Sequence, residues 1–181
     1  IRGTTSTAFV VTNGSGGLTF NNSSLSSIFF PIGNSASSYT PLTISNASTP
    51  DIFTVRAQPG ITNSLATYPN YVNIEWIISQ AGAGTRNLTL VPQWTTGNQR
   101  GTSFRTDAVG AALFINNQYV ETATAASVAV PGGGYLSTSA TFNATYSNTP
   151  LVVFSKVVIP PLVVVQPTAT GVTPLSVPVS N

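Results

Sequence analysis

The stretch VNIEWIISQAGAGTRNLTLVPQW, Val72 to Trp94, decides the fold. In its first part Ile74, Trp76 and Ile78 share one face, and Asn73 and Glu75 share the other. Alternation with a period of two marks a strand with one face buried. Gly82 to Gly84 turns the chain. Asn87 to Trp94 then alternates again, with Leu88, Leu90 and Trp94 on one face and Asn87, Thr89 and Gln93 on the other. Two such strands about a short Gly turn predict a hairpin at the centre of the core, carrying both Trp residues of the chain.

Short β-branched and aromatic runs between Gly, Asn, Ser and Pro clusters extend in both directions, the pattern of many strands. Upstream, the strands predicted are Ala8 to Val11, Leu18 to Phe20, Ile28 to Ile32, Thr40 to Ser45 and Ile52 to Ala57. Pro31 marks a strand end or an edge. Phe53, Val55 and Ala57 face inward, which leaves Thr54 and Arg56 outside. Residues 58 to 70 form a loop. Downstream come Ala112 to Ile115, Gln118 to Glu121, Ser127 to Val130, Tyr135 to Thr145 and Leu151 to Ile159. The last of these is apolar on both faces, which suits a central strand. Only Thr122 to Ala126 suggests a helical turn, and its two Thr residues weaken it. The total is about ten to twelve strands at sandwich spacing. The fold expected is all-β, an antiparallel two-sheet β-sandwich of Ig-like or jelly-roll-like kind. It occupies residues 1–159 as a single domain, and residues 160–181 form an extended C-terminal strand arm.

Composition narrows the function. Charged residues make up 6% of the 181, against about a quarter in an ordinary protein. Ser, Thr, Asn and Gln solubilise the surface instead, so charge repulsion opposes association only weakly. A net charge of +2 from six basic and four acidic residues makes no basic patch, and nucleic acid is not an expected partner. No run of eighteen apolar residues exists, so no membrane-spanning helix is expected. A chain that opens on Ile1 has the look of a processed, mature product, and the absence of Cys implies a fold without disulfides. Asn13, Asn21, Asn22, Asn46, Asn87 and Asn143 head Asn-x-Ser/Thr sequons and are the candidate glycosylation positions.

Four segments carry a resemblance. FFPIGNSASSYTPLTIS (Phe29 to Ser45), FTVRA (Phe53 to Ala57), VNIEWIIS (Val72 to Ser79) and NLTLVPQW (Asn87 to Trp94) resemble, in order and spacing, a β-sandwich module. That module is common in large surface proteins of Bacteroidota secreted by the type IX route. The matching residues are Pro31, Gly33, Tyr39, Pro41, Trp76, Leu88, Leu90 and Trp94, within roughly residues 28–105. The resemblance implies a sandwich fold and an extracellular, cell-surface location, and it implies no activity. Such proteins often end in a sorting domain, and this chain ends in a Pro-Val tail instead.

Catalytic chemistry has few places to reside. Without His or Cys there is no Ser-His-Asp triad, no Cys nucleophile and no typical zinc site. The carboxylates are Asp51, Glu75, Asp107 and Glu121, and none clusters with another in sequence as calcium would require. A cross-strand pair of Glu75 with Arg56 is the simplest role for Glu75. An isopeptide crosslink needs Lys, Asn and a buried carboxylate together, and only Lys156 with Glu75 or Asp107 supplies that set. Gly132 to Gly134 precedes no helix and is no phosphate cradle. The chain is therefore expected not to be an enzyme, with no catalytic, cofactor or metal residues. Tyr68, Tyr71 and Tyr119, with nearby Asn and Gln, have the chemistry of a sugar-binding surface.

The tail carries the leading functional expectation. Val157 to Asn181 reads VVIPPLVVVQPTATGVTPLSVPVSN and holds no charge. Pro174 and Pro178 share a parity, so their missing N–H groups lie on one edge of an extended strand. Leu175, Val177 and Val179 keep their donors on the other edge and point to one face. Leu162, Val163, Val164 and Val165 lack such a gap. These seven are the candidate donor-strand residues. About twenty extended residues span on the order of 65 Å. A strand of that length and pattern suits donation into a neighbouring copy, head-to-tail, as in the subunit of an extracellular pilus- or fimbria-like filament. The partner is then the chain itself. The alternative is a surface adhesin or carbohydrate-binding module whose partners are surface glycans, with the tail docked on its own domain or serving as a linker.

Overall fold

Inward and outward positions alternate through the molecule, and the alternation builds two facing walls. The computed structural model describes residues 8–23, 26–65, 67–130 and 135–156. The arm 160–181, with all seven candidate donor residues, lies outside the described residues. In chain order the strands are β1 (Val10–Val11), β2 (Leu18–Asn22), β3 (Ser27–Phe30), β4 (Ile32–Ser35), β5 (Ser38–Tyr39) and β6 (Leu42–Asn46). Next come β7 (Asp51–Pro59), β8 (Asn70–Val72), β9 (Ile74–Gln80), β10 (Arg86–Thr95) and β11 (Gln99–Arg100). The chain continues with β12 (Val109–Ile115), β13 (Gln118–Glu121), β14 (Val128–Val130), β15 (Tyr135–Ser137), β16 (Ala140–Ala144) and β17 (Thr149–Ser155). A 3-10 turn, Thr96–Asn98, follows β10.

One wall is an eight-stranded sheet in the order β11-β8-β17-β9-β7-β2, with β12 on the other side of β17 and β13 beyond it. The facing wall runs β14-β15-β10-β6-β3, with β16 beside β10. A small sheet, β1-β4-β5, sits at one end. Every strand pair is antiparallel except β1 with β4. The chain is thus an all-β, two-sheet sandwich. Strand β17 is central, flanked by β12 on one edge and by β8 and β9 on the other. Leu151 to Ser155 are buried throughout, as an all-apolar run requires.

The expected central hairpin is overturned. Strand β9 pairs with β7 and β17 in one wall, whereas β10 pairs with β6, β15 and β16 in the other. Trp76 and Trp94 are both fully buried in the one core that the walls enclose. A hairpin would have put both apolar rows on one face of one sheet. Crossing to the opposite wall lets Ile74, Trp76 and Ile78 face Leu88, Leu90 and Trp94. The crossing at residues 81–85 is fixed by a buried ion pair, Arg86 Nη2 to Asp51 Oδ2 at 2.9 Å. Asp51 Oδ1 accepts the N–H of Gly82 at 2.8 Å. A Cβ at Gly82 would stand 2.6 Å from Arg86 Nη2 and 2.9 Å from Asp51 Oδ2, so a side chain there would push into the ion pair.

The eight residues that carry the family resemblance are all buried. Trp76 Nε1 donates to the carbonyl of Thr40 at 2.9 Å, which ties the Tyr39–Pro41 segment to the opposite wall. Asn116 and Asn117, with φ of 51° and 61°, turn β12 into β13 in the left-handed geometry of a tight hairpin. Residues 122 to 126 form no helix; Ala125 instead bridges to Val109.

Candidate assembly surface

Strands β2 and β3 end their respective sheets side by side, and each has one edge with no partner strand among the described residues. Their inward residues Leu18, Phe20 and Ile28 pack on the core but remain only partly buried. Phe20 meets Phe30 edge-on, with ring centroids 5.2 Å apart. Phe20 and Phe30 thus join the two sheets at this rim, with half-covered apolar side chains around them. Phe29 on β3 and Ile52, opposite Asn21 of β2, are exposed on the outer faces of the two walls. Unpaired backbone beside apolar side chains is the surface on which an added strand is stabilised.

The neighbouring backbone shows how such an edge is closed where it is closed. Beyond β2, the edge of β7 is finished by one side chain. Thr12 Oγ1, buried, accepts the N–H of Ala57 at 2.8 Å. Thr12 is held in turn by its own N–H to Gly33 O at 2.9 Å, and Val10 N–H donates to Pro31 O at 2.9 Å. Strand β1 thus covers the edge of β4 and stops short of β3. Pro31 separates β3 from β4, as expected of a strand end.

The described chain ends at Lys156, whose N–H donates to Ala108 O at 3.0 Å. Its Nζ lies 2.7 Å from Glu121 Oε2 and 5.5 Å from the centre of the Phe154 ring. In sheet order β9 and β7 lie between β17 and β2.

The other singled-out groups are placed as follows. Glu75 is fully buried and does not meet Arg56, because the β7–β9 register sets Gln58 opposite it. Glu75 Oε2 accepts from Gln58 Nε2 and from Thr62 Oγ1, each at 2.6 Å, while Oε1 has no donor among the described residues. Asp107 pairs with Arg105 at the surface, and that hydrogen bond holds its carboxyl below the usual range. With Lys156 on Glu121, no described contact unites Lys156 with Glu75 or Asp107, so the isopeptide set is not assembled.

Four of the six sequon asparagines, Asn13, Asn21, Asn87 and Asn143, are exposed. Asn22 and Asn46 are not available: both are buried, and their amide N–H groups donate to Ser26 O at 2.9 Å and Thr49 O at 2.6 Å.

Tyr68, Tyr71 and Tyr119 do come together. They cover Phe154, Val152 and Ala112 on the outer face of the eight-stranded sheet. Burial, then the nearby Glu121 charge, pushes the Tyr68 hydroxyl up to about 12. Burial, then the Glu75 charge, does the same for Tyr119, also to about 12. Periodicity could not have revealed this cluster, because its roof is the loop at 61–69, whose course alternation does not encode.

Compared with family models, with curated proteins and with solved structures, the chain gives no match.

Proposed function

We propose that the protein is a structural subunit of an extracellular, pilus-like filament. Each copy donates its C-terminal arm, within 160–181, to the open rim between β2 and β3 of the next. The observation that carries this reading is the rim itself. It combines two strand edges that have no partner strand among the described residues with the half-buried Leu18, Phe20 and Ile28. The donor pattern fits that need: Leu175, Val177 and Val179 supply one apolar face, and their donors lie on one edge. Each Val or Leu that becomes buried contributes about 1.5–3 kcal/mol. Pro174 and Pro178 on the opposite edge stop further strands from adding. A surface with 6% charge does little to oppose self-association. The resemblance to secreted Bacteroidota modules supports the cell-surface setting.

The test is negative-stain microscopy of the full chain beside a variant lacking 160–181. Filaments from the full chain and none from the folded variant are expected. Ile28→Asp, which charges the rim and keeps the arm, is expected to abolish filaments as well. Polymers from the deletion variant would refute strand donation. So would a monomeric full chain whose arm resists proteolysis at any dilution, since that arm is docked on its own rim.

A further inference from the structure

We infer that the outer face of the eight-stranded sheet carries a binding site for a neutral oligosaccharide, built from the loop at 61–65 and the ring of Tyr71. A cavity of about 580 Å³ opens there, and its lining includes Thr62, Asn63, Ser64, Leu65, Tyr68 and Tyr71. Its size is that of a small-molecule site, where apolar walls and a few placed polar groups fix a ligand. No lining side chain is charged. An ionised ligand would lose its hydration there and gain no counter-charge, so a neutral one is favoured.

The walls are held in place by bonds that a ligand does not have to make. Tyr68 stacks on Phe154, with centroids 4.3 Å apart and planes 22° apart. Tyr119 meets Tyr68 edge-on at 5.8 Å and donates its hydroxyl hydrogen to Asn63 O at 3.3 Å. Thr62 is tied to the buried Glu75 from above, and Gln58 Nε2 donates to Thr62 Oγ1 at 3.0 Å. Tyr68 N–H closes the loop on Leu65 O at 2.7 Å. Three side chains remain uncommitted. The Asn63 amide, the Ser64 hydroxyl and the Tyr71 hydroxyl make no hydrogen bond among the described residues.

That inventory matches the surface of a pyranose. A sugar ring offers an apolar C–H face to an aromatic ring and a rim of hydroxyls that both donate and accept. An amide and two hydroxyls, which also do both, satisfy such a rim without charge. Because loop and sheet are already fixed, little ordering cost is left for the binding step. The site lies on the face of the sheet, not on its rim, so it does not rest on the assembly reading.

The test begins with an array of neutral and acidic oligosaccharides probed with the labelled full chain. Titration calorimetry follows, with cellohexaose, xylohexaose, mannohexaose and chitohexaose as probes. At least one neutral oligosaccharide is expected to bind. Tyr71→Ala is expected to weaken that binding by about tenfold or more, the scale of one aromatic contact. Asn63→Ala is expected to weaken it severalfold. Tyr71→Phe keeps the ring and the fold, and is expected to retain most of the affinity. Thr141→Ala, on the other sheet, leaves it unchanged. Binding to acidic glycans alone, binding indifferent to Tyr71→Ala, or no binding at millimolar sugar would overturn the inference. So would array silence accompanied by capture of a protein that Tyr71→Ala releases.

Discussion

Removing the Arg86 guanidinium tests the device that makes this chain a sandwich and not a hairpin. Its side chain and that of Asp51 are 8% and 4% exposed, and Nη2 stands 2.9 Å from Oδ2. Nη1 also donates to Ala83 O and Thr85 O, both at 3.0 Å, so one cation closes the whole crossing. Arg86→Ala leaves Asp51 buried with two backbone donors, from Ile52 and Gly82, and no counter-charge. Breaking a buried pair on one side costs about 3–5 kcal/mol, because the remaining charge has lost both water and partner. For a domain of this size a urea m-value of about 2 kcal/mol/M turns that loss into a midpoint lower by about 1.5–2.5 M. Trp76 and Trp94 are both fully buried, so their fluorescence reports the transition. Asp51→Asn in the same background keeps an acceptor for Gly82 N–H and removes the stranded charge. The double variant is therefore expected to be more stable than Arg86→Ala alone. Arg105→Ala breaks an exposed pair, with side chains 43% and 59% accessible, and is expected to leave the midpoint where it was. A midpoint for Arg86→Ala within about 0.3 M of wild type, or a double variant no better than the single, would refute the argument.

Thr12→Val keeps the shape of a buried side chain but deprives Ala57 N–H of its acceptor, and is expected to cost about 1–3 kcal/mol in the same assay, whereas Thr12→Ser keeps the bond and most of the stability. Raising the pH adds a second test. Tyr68 and Tyr119 titrate at about 12 in the fold, against an ordinary value of 10.0. Between those values the unfolded chain gives up protons that the folded one keeps, so stability is full below pH 10 and falls as pH rises from about 10 to 12. Tyrosinate absorbance that completes its rise before any loss of structure would contradict this. Glycopeptide mass spectrometry of material made in a host that modifies sequons is expected to find sugar only among Asn13, Asn21, Asn87 and Asn143. A glycan on Asn46 in folded protein would show that its bond to Thr49 O is dispensable.

Much of the architecture was legible because strands with one buried face declare themselves. Phe53, Val55 and Ala57 face inward as their alternation requires, and so do Leu88, Leu90 and Trp94. The all-apolar run from Leu151 announced a central strand, and β17 is one. The Asn116-Asn117 turn has a local cause as well, since only a few residue types adopt the left-handed backbone a tight hairpin needs. These signals are local: each depends on a residue and its neighbours two positions away.

Partner choice and register depend on distance in space, and there the tertiary structure decided. Alternation says that Trp76 and Trp94 face inward, but the same pattern serves one sheet or two. The buried Arg86–Asp51 pair at the crossing belongs to residues far apart in sequence. Register likewise set Gln58, and not Arg56, against Glu75, because a slip of two residues leaves every side chain on its proper face. The gathering of Tyr68, Tyr71 and Tyr119 over Phe154 required three separate segments to meet. The sequence by itself determined which residues turn inward and where the chain bends, since sterics and periodicity act along the chain. Only the folded molecule decided which strand lies beside which, because pairing depends on residues that meet in space and not along the chain.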